Sequence, residues 1–141
     1  MDIRAITDAY AVSPQIEPGD MAALAAEGFT AVICNRPDPE VPPELGRDAM
    51  ERAARRAGLT FVYNPVAGGA PGMEAVAAQS AVLASGGKVF AYCTSGTRSC
   101  ILWALAQAEL LPVDEIIEAA GRAGYAIQGL RPQIEVLRRH D

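Results

Sequence analysis

Histidine is nearly absent from this chain. The single imidazole, His140, is second from the end, in a stretch expected to fray, which excludes a cysteine–histidine couple unless the tail folds back. Cysteine is also scarce: Cys34, Cys93 and Cys100 follow neither a disulfide framework nor a metal-ligand spacing, and no metal or cofactor is expected. No apolar run approaches the roughly 18 residues of a membrane span. Positive charge is in deficit, with 12 Lys and Arg against 17 Asp and Glu for a net charge of −5, so neither nucleic acid nor an anionic membrane is an expected partner. The start, Met1-Asp2-Ile3-Arg4, lacks the basic and apolar regions of a signal peptide. Together with reduced thiols it suggests a cytoplasmic address.

What is present suits one soluble domain. The 141 residues are 50% hydrophobic and 21% charged, enough to bury a core without disulfide or metal staples. Most informative is the stretch from Val89 to Trp103, VFAYCTSGTRSCILW. An apolar run ends on Cys93, small and polar residues follow to Arg98, and an apolar segment resumes at helical length, which reads as strand, tight loop and buried helix. If residues 94–98 curl around the strand end, their N–H groups converge on one point and the helix adds its positive end. Cys93 then sits where negative charge is stabilised, by those amides, by the Arg98 guanidinium and by the hydroxyls of Thr94, Ser95, Thr97 and Ser99. Arg98 offers a bidentate fork to an anionic substrate.

Along the chain, helix and strand alternate. Ala11–Ser13 is a strand candidate. Helices are expected from Gly19 or Asp20 to Glu27, Glu44 to Ala57 and Met73 to Ser85, each stopped by glycine and followed by a strand: 30–34, 60–63 and 88–92. Helices over 98–110, 114–123 (with Asp114 as N-cap) and 132–139 complete the chain. This is a three-layer α/β/α domain on a mostly parallel sheet of four or five strands. Ligands of such sheets bind beyond the carboxyl ends of the strands, so the loops after Cys34, Tyr63 and Tyr92 should share a mouth. Asn35 and Arg36 in the first of these are candidate anion contacts; alternatively Asn35 bonds local backbone and Arg36 braces its own loop against Asp38. The second, Pro65 to Gly72, has no titratable side chain, leaving Glu74 as the nearest carboxylate. Cys100 and Cys34 read as packing, with a redox role for Cys100 as the other option.

The loop resembles those of two groups of cysteine enzymes. Four residues separate Cys93 from Arg98, as in the Cys-x-x-Gly-x-Arg pattern of many rhodaneses, where tyrosine phosphatases have five. The whole chain resembles the DUF442 family, the phosphatase-like domain of beta-lactamase-hydrolase-like proteins, also described as sulfur transferases. Ile3-Arg4, Val12 to Ile16, Asn35 to Asp38, Tyr92 to Ser99, Gly124-Tyr125 and Gly129 to Pro132 carry that similarity. It implies a dual-specificity-phosphatase-like fold with a rhodanese-like loop, and a link to persulfide dioxygenase partners. Three functions follow. In the first, Cys93 takes a sulfane sulfur from thiosulfate or a persulfide and passes it on, with Arg98 holding the anion. In the second, Cys93 forms a phosphocysteine from a phosphate ester, although the 65–72 loop offers no acid for the leaving alcohol. In the third, the loop is a non-catalytic anion nest.

Overall fold

A computed structural model describes residues 1–68 and 70–139; His140 therefore lies outside the described residues. Five strands form one sheet: β1 (Arg4–Thr7), β2 (Tyr10–Ser13), β3 (Phe29–Cys34), β4 (Thr60–Tyr63) and β5 (Lys88–Tyr92), in the order β1-β2-β5-β3-β4. β1 pairs antiparallel with β2 and every other pairing is parallel. The helices are α1 (Met21–Ala26), α2 (Arg47–Arg56), α3 (Met73–Leu83), α4 (Thr97–Ala106), α5 (Val113–Arg122) and α6 (Arg131–Arg138).

Alternation within the central strands divides the core. Val89 and Ala91 of β5 join Tyr10, Val12 and Ile33 beneath α4, α5 and α6, while Phe90 and Tyr92 join Val32 and Cys34 beneath α1 and α2. A strand buried on both faces reads as a continuous apolar run because its alternation has no polar side to mark. Trp103 of α4 is 1% exposed and stacks on Tyr10, with ring centroids 6.3 Å apart. Truncating such a residue ordinarily costs about 3–5 kcal/mol.

The structure departs from the sequence reading at three places. β1 is an additional edge strand, with no counterpart among the strands expected from sequence. Two helices are shorter than expected: α4 stops at Ala106, and α2 starts only at Arg47, after two short 3-10 turns over 38–40 and 43–45. Pro112, with extended backbone, is the N-cap of α5, so Asp114 falls inside the first turn and its carboxylate instead accepts from Arg131 Nη2 at 2.7 Å.

For the site, the decisive feature is register. Ser13, Tyr92, Cys34 and Tyr63 are lateral neighbours across β2, β5, β3 and β4. The residues that follow, Pro14, Cys93, Asn35 and Asn64, therefore line the carboxyl edge of the sheet, and the three loops open on one side as the topology requires.

Candidate active site

Cys93 leaves β5 with its N–H directed to Ser13 O at 3.4 Å and its sulfur accepting the Gly96 N–H at 3.1 Å. The residue is 1% exposed. Gly96 turns the chain with φ +92° and is the N-cap of α4, so the helix starts directly over the sulfur and its unpaired amides favour negative charge there. Among the described residues, the main-chain N–H groups of Thr94, Ser95 and Arg98 have no protein acceptor. Thr94, Ser95 and Thr97 are exposed, although the Ser95 and Thr97 hydroxyls engage each other at 2.9 Å.

Arg98 is held on several sides. Nη1 donates to Glu40 Oε2 at 2.9 Å and Val66 O at 2.6 Å, and Nη2 donates to Glu40 Oε1 at 2.8 Å and Thr94 Oγ1 at 2.7 Å. Glu40 also receives Arg36, through Nε to Oε1 at 3.3 Å and through Nη2 to its main-chain oxygen at 3.1 Å. Arg36 Nη1 in turn reaches Gln15 Oε1 at 3.2 Å. Two guanidiniums, Arg98 foremost, hold the Glu40 carboxyl below the ordinary carboxylate range, with burial opposing. Hydrogen bonding to Glu40 raises Arg98 above its ordinary value, burial opposes, and the Cys93 sulfur adds a smaller push upward.

Arg36 thus braces its own loop, one of the two roles open from sequence, but its partner is Glu40 and not Asp38. Asp38 Oδ1 accepts the Arg47 N–H at 2.8 Å and secures the start of α2, while its own N–H bonds the Tyr63 hydroxyl at 2.9 Å. Asn35 and Ser99 were expected on the anion. Both are fully buried and spend their side chains on a polar network beneath the loop. Asn35 Nδ2 donates to Asn64 O and Gln79 Oε1, Asn35 Oδ1 accepts from Ser99 Oγ at 2.8 Å and Gln79 Nε2 at 3.1 Å, and the Tyr10 hydroxyl donates to Ser99 O at 2.8 Å. Each group would cost on the order of 1–3 kcal/mol if buried without a partner, so the network fixes the strand end and the first turn of α4 as one unit.

Cys100 lies in the core beneath α4, its thiol pushed up to about 12 mainly by burial. Burial also raises Cys34, whose sulfur donates to Arg36 O at 3.2 Å. Among the described residues no group of three or more His, Cys, Asp or Glu side chains is placed to hold a metal ion, and no helix is long and apolar enough to cross a membrane.

Residues 2–110 match the family described as "Beta-lactamase hydrolase-like protein, phosphatase-like domain". The chain belongs to this family. A "Beta-lactamase hydrolase-like protein" of Xylella fastidiosa (strain Temecula1) is 36% identical over 141 residues, covering 94% of this chain and 32% of that protein. The chain thus spans about a third or less of the length of the curated relatives it matches. A Neisseria meningitidis Z2491 crystal structure, described as a "putative phosphatase", superposes with a TM-score of 0.82 at 31% identity, covering 98% of this chain and 99% of that one. The kinase associated phosphatase shares the fold, with a TM-score of 0.70 at 12% identity over 97% of this chain and 92% of that one. The phosphatase-like fold expected from the resemblance is therefore the fold of this family member.

Sequence reading missed Glu40, Thr94 as a ligand of Arg98, and Tyr125, whose hydroxyl donates to Ser95 O at 3.0 Å. Glu40 had one local signal, its position four residues after Arg36 in a mouth loop. Because its folded-state pKa is depressed, its ion pair is complete above the unfolded value and is lost as pH falls through the folded one. Oxyanion affinity is accordingly expected to hold from neutral pH down past the ordinary carboxylate range and then drop. Glu40→Gln should lack that acid limb, and a binding titration across pH with inorganic sulfate, whose own charge stays constant through the carboxylate range, checks both.

Proposed function

We propose that this domain is a cysteine-dependent phosphohydrolase for small phosphate esters. The observation that carries the reading is the Cys93–Arg98 loop itself: a sulfur bonded by the Gly96 amide, under a helix start, beside a guanidinium fixed by a carboxylate. Cys93 sulfur attacks phosphorus as the P–O bond to the leaving group breaks, and the leaving oxygen takes that electron pair. Loop amides and Arg98 stabilise the equatorial oxygens. Water then attacks the phosphocysteine, breaking the P–S bond and returning the thiolate with phosphate.

Proton supply sets the expected substrate range. The 65–72 loop has no acid, and Glu40 is ionised between two guanidiniums, so a leaving group that departs without protonation is favoured. Aryl phosphates are expected to turn over, with rates falling steeply as the leaving alcohol becomes more basic.

A second reading, sulfur transfer from thiosulfate or a persulfide through a Cys93 persulfide, is favoured by the four-residue spacing and by that same lack of an acid. Sulfite leaves thiosulfate with little need of a proton. Two incubations of the wild-type protein, one with an aryl phosphate and one with thiosulfate, followed by acid quench and peptide mass analysis, separate the readings. A phosphoryl group on Cys93 supports the first; a single added sulfur with no phosphoryl adduct or ester hydrolysis overturns it for the second. A reducing, cytoplasmic setting fits either reading, since both need Cys93 as a free thiol.

A further inference from the structure

We propose that Glu40 is the positioning residue that fixes Arg98 for oxyanion binding, and that Thr94 Oγ1 marks the seat which one substrate oxygen takes. This inference rests on reading the Cys93 loop as an oxyanion seat, and it names what holds that seat in shape.

A guanidinium has five N–H donors in a rigid plane and two edges that grip two oxygens at once, the end-on edge of Nη1 with Nη2 and the side-on edge of Nε with Nη2. Glu40 occupies the end-on edge with both carboxylate oxygens, at 2.9 and 2.8 Å. Val66 O takes the remaining Nη1 hydrogen. The side-on edge is left, with Nη2 on the Thr94 hydroxyl and Nε–H without an oxygen acceptor among the described residues. Thr94 immediately follows Cys93 in the loop and is exposed, so the Nη2 end of this edge stands at the loop beside the sulfur, where an anion attacked by that sulfur would sit.

Exchanging a neutral hydroxyl for an oxyanion is cheap, because Thr94 Oγ1 can turn to water. Exchanging Glu40 would leave a carboxylate facing the incoming anion. The favoured event therefore keeps Glu40 in place and replaces Thr94. Arg36 supports this arrangement: it bonds both the carboxylate and the main chain of Glu40 and is itself tied to Gln15, so the carboxylate carries two cations and its like-charge penalty toward a substrate is reduced. Arg36, expected from sequence at the anion, acts on it through Glu40 and Arg98.

The test is calorimetric binding of inorganic phosphate to wild type, Glu40→Gln, Glu40→Asp and Thr94→Val, with aryl phosphate hydrolysis and thermal melting alongside. If Glu40 acted only through its charge, removing it would tighten anion binding. As a positioning residue it predicts the opposite: phosphate affinity of Glu40→Gln weaker by about ten- to a hundredfold, the scale of a charge-assisted hydrogen bond. KM for the ester should rise in parallel while melting stays near wild type. Glu40→Asp, with its charge kept but one methylene shorter, should also weaken binding. Thr94→Val should bind phosphate as tightly as wild type or tighter. Wild type that binds phosphate, with Glu40→Gln equal or tighter, overturns this proposal and leaves the phosphohydrolase reading standing. A Thr94→Val that loses binding as Glu40→Gln does overturns the seat assignment. Wild type that binds no phosphate and cleaves no ester removes both.

Discussion

Cys93→Ser is expected to take ester hydrolysis to the buffer background while phosphate binding persists. The two properties separate because the site provides two different things. Its amides, the helix start and Arg98 stabilise negative charge wherever it stands at the loop centre, on the sulfur or on a bound oxyanion. They do not remove a proton from an alcohol. A serine hydroxyl at position 93 needs a base, and the nearby carboxylate, Glu40, already has both oxygens on guanidiniums. Serine can still accept the Gly96 N–H that the sulfur accepts at 3.1 Å, so the loop should keep its shape. The variant should therefore bind phosphate with wild-type stoichiometry in calorimetry and show no phosphoryl adduct on quench. Residual hydrolysis close to wild type would place the nucleophile elsewhere and end both cysteine readings. The same substitution in the thiosulfate assay should remove any sulfur transfer, which ties the two chemistries to one atom.

The loop was legible because its signal is local. An apolar run, a cysteine, a glycine four residues before the buried Cys100 and an arginine all fall within a dozen residues, and each has a separate backbone or charge reason to be there. Glycine stops after α1, α2 and α3 made the βα alternation readable in the same way, and Gly28, Gly58 and Gly86 do stand in the left-handed region. What surrounds the loop was not legible. The network that buries Asn35 and Ser99 joins residues 44, 64 and 69 positions apart, and a buried glutamine on α3 looks in sequence like any solvated one. Polar type and strand-end position suggested an anion contact, while packing with Gln79 and Tyr10 decided otherwise. β1 escaped notice for a related reason: a four-residue edge strand with burial that changes at every position has no periodicity to detect. Glu40 was hidden by the prolines and 3-10 turns around it, which give no hint that its carboxylate folds back over a loop 58 residues away.

Gly96→Ala is expected to disable the site while leaving the domain folded, and two independent penalties combine in it. The backbone at this position has φ +92°, which an L side chain adopts only at a cost of about 1–2 kcal/mol. A Cβ there would also stand 2.1 Å from the Tyr125 hydroxyl and 3.1 Å from its ring carbon. Tyr125 has little room to retreat, since its hydroxyl bonds Ser95 O, Arg4 stacks over its ring at 5.4 Å and the residue is 6% exposed. Relief by rotating the 95–97 backbone would turn the Gly96 N–H away from the Cys93 sulfur and disturb the amide ring proposed to receive the anion. The loss of kcat/KM should therefore far exceed what a small fall in melting temperature implies. A change of about 1–3 kcal/mol, typical of a single destabilising substitution, shifts melting by only a few degrees for each kcal/mol in a domain of this size. Tyr125→Phe added to Gly96→Ala removes the 2.1 Å clash but keeps the 3.1 Å contact and the positive φ, so it should recover only part of the activity. Full recovery in the double variant would assign the whole effect to the hydroxyl, and wild-type activity in Gly96→Ala alone would mean that the amide on the sulfur is not part of the chemistry.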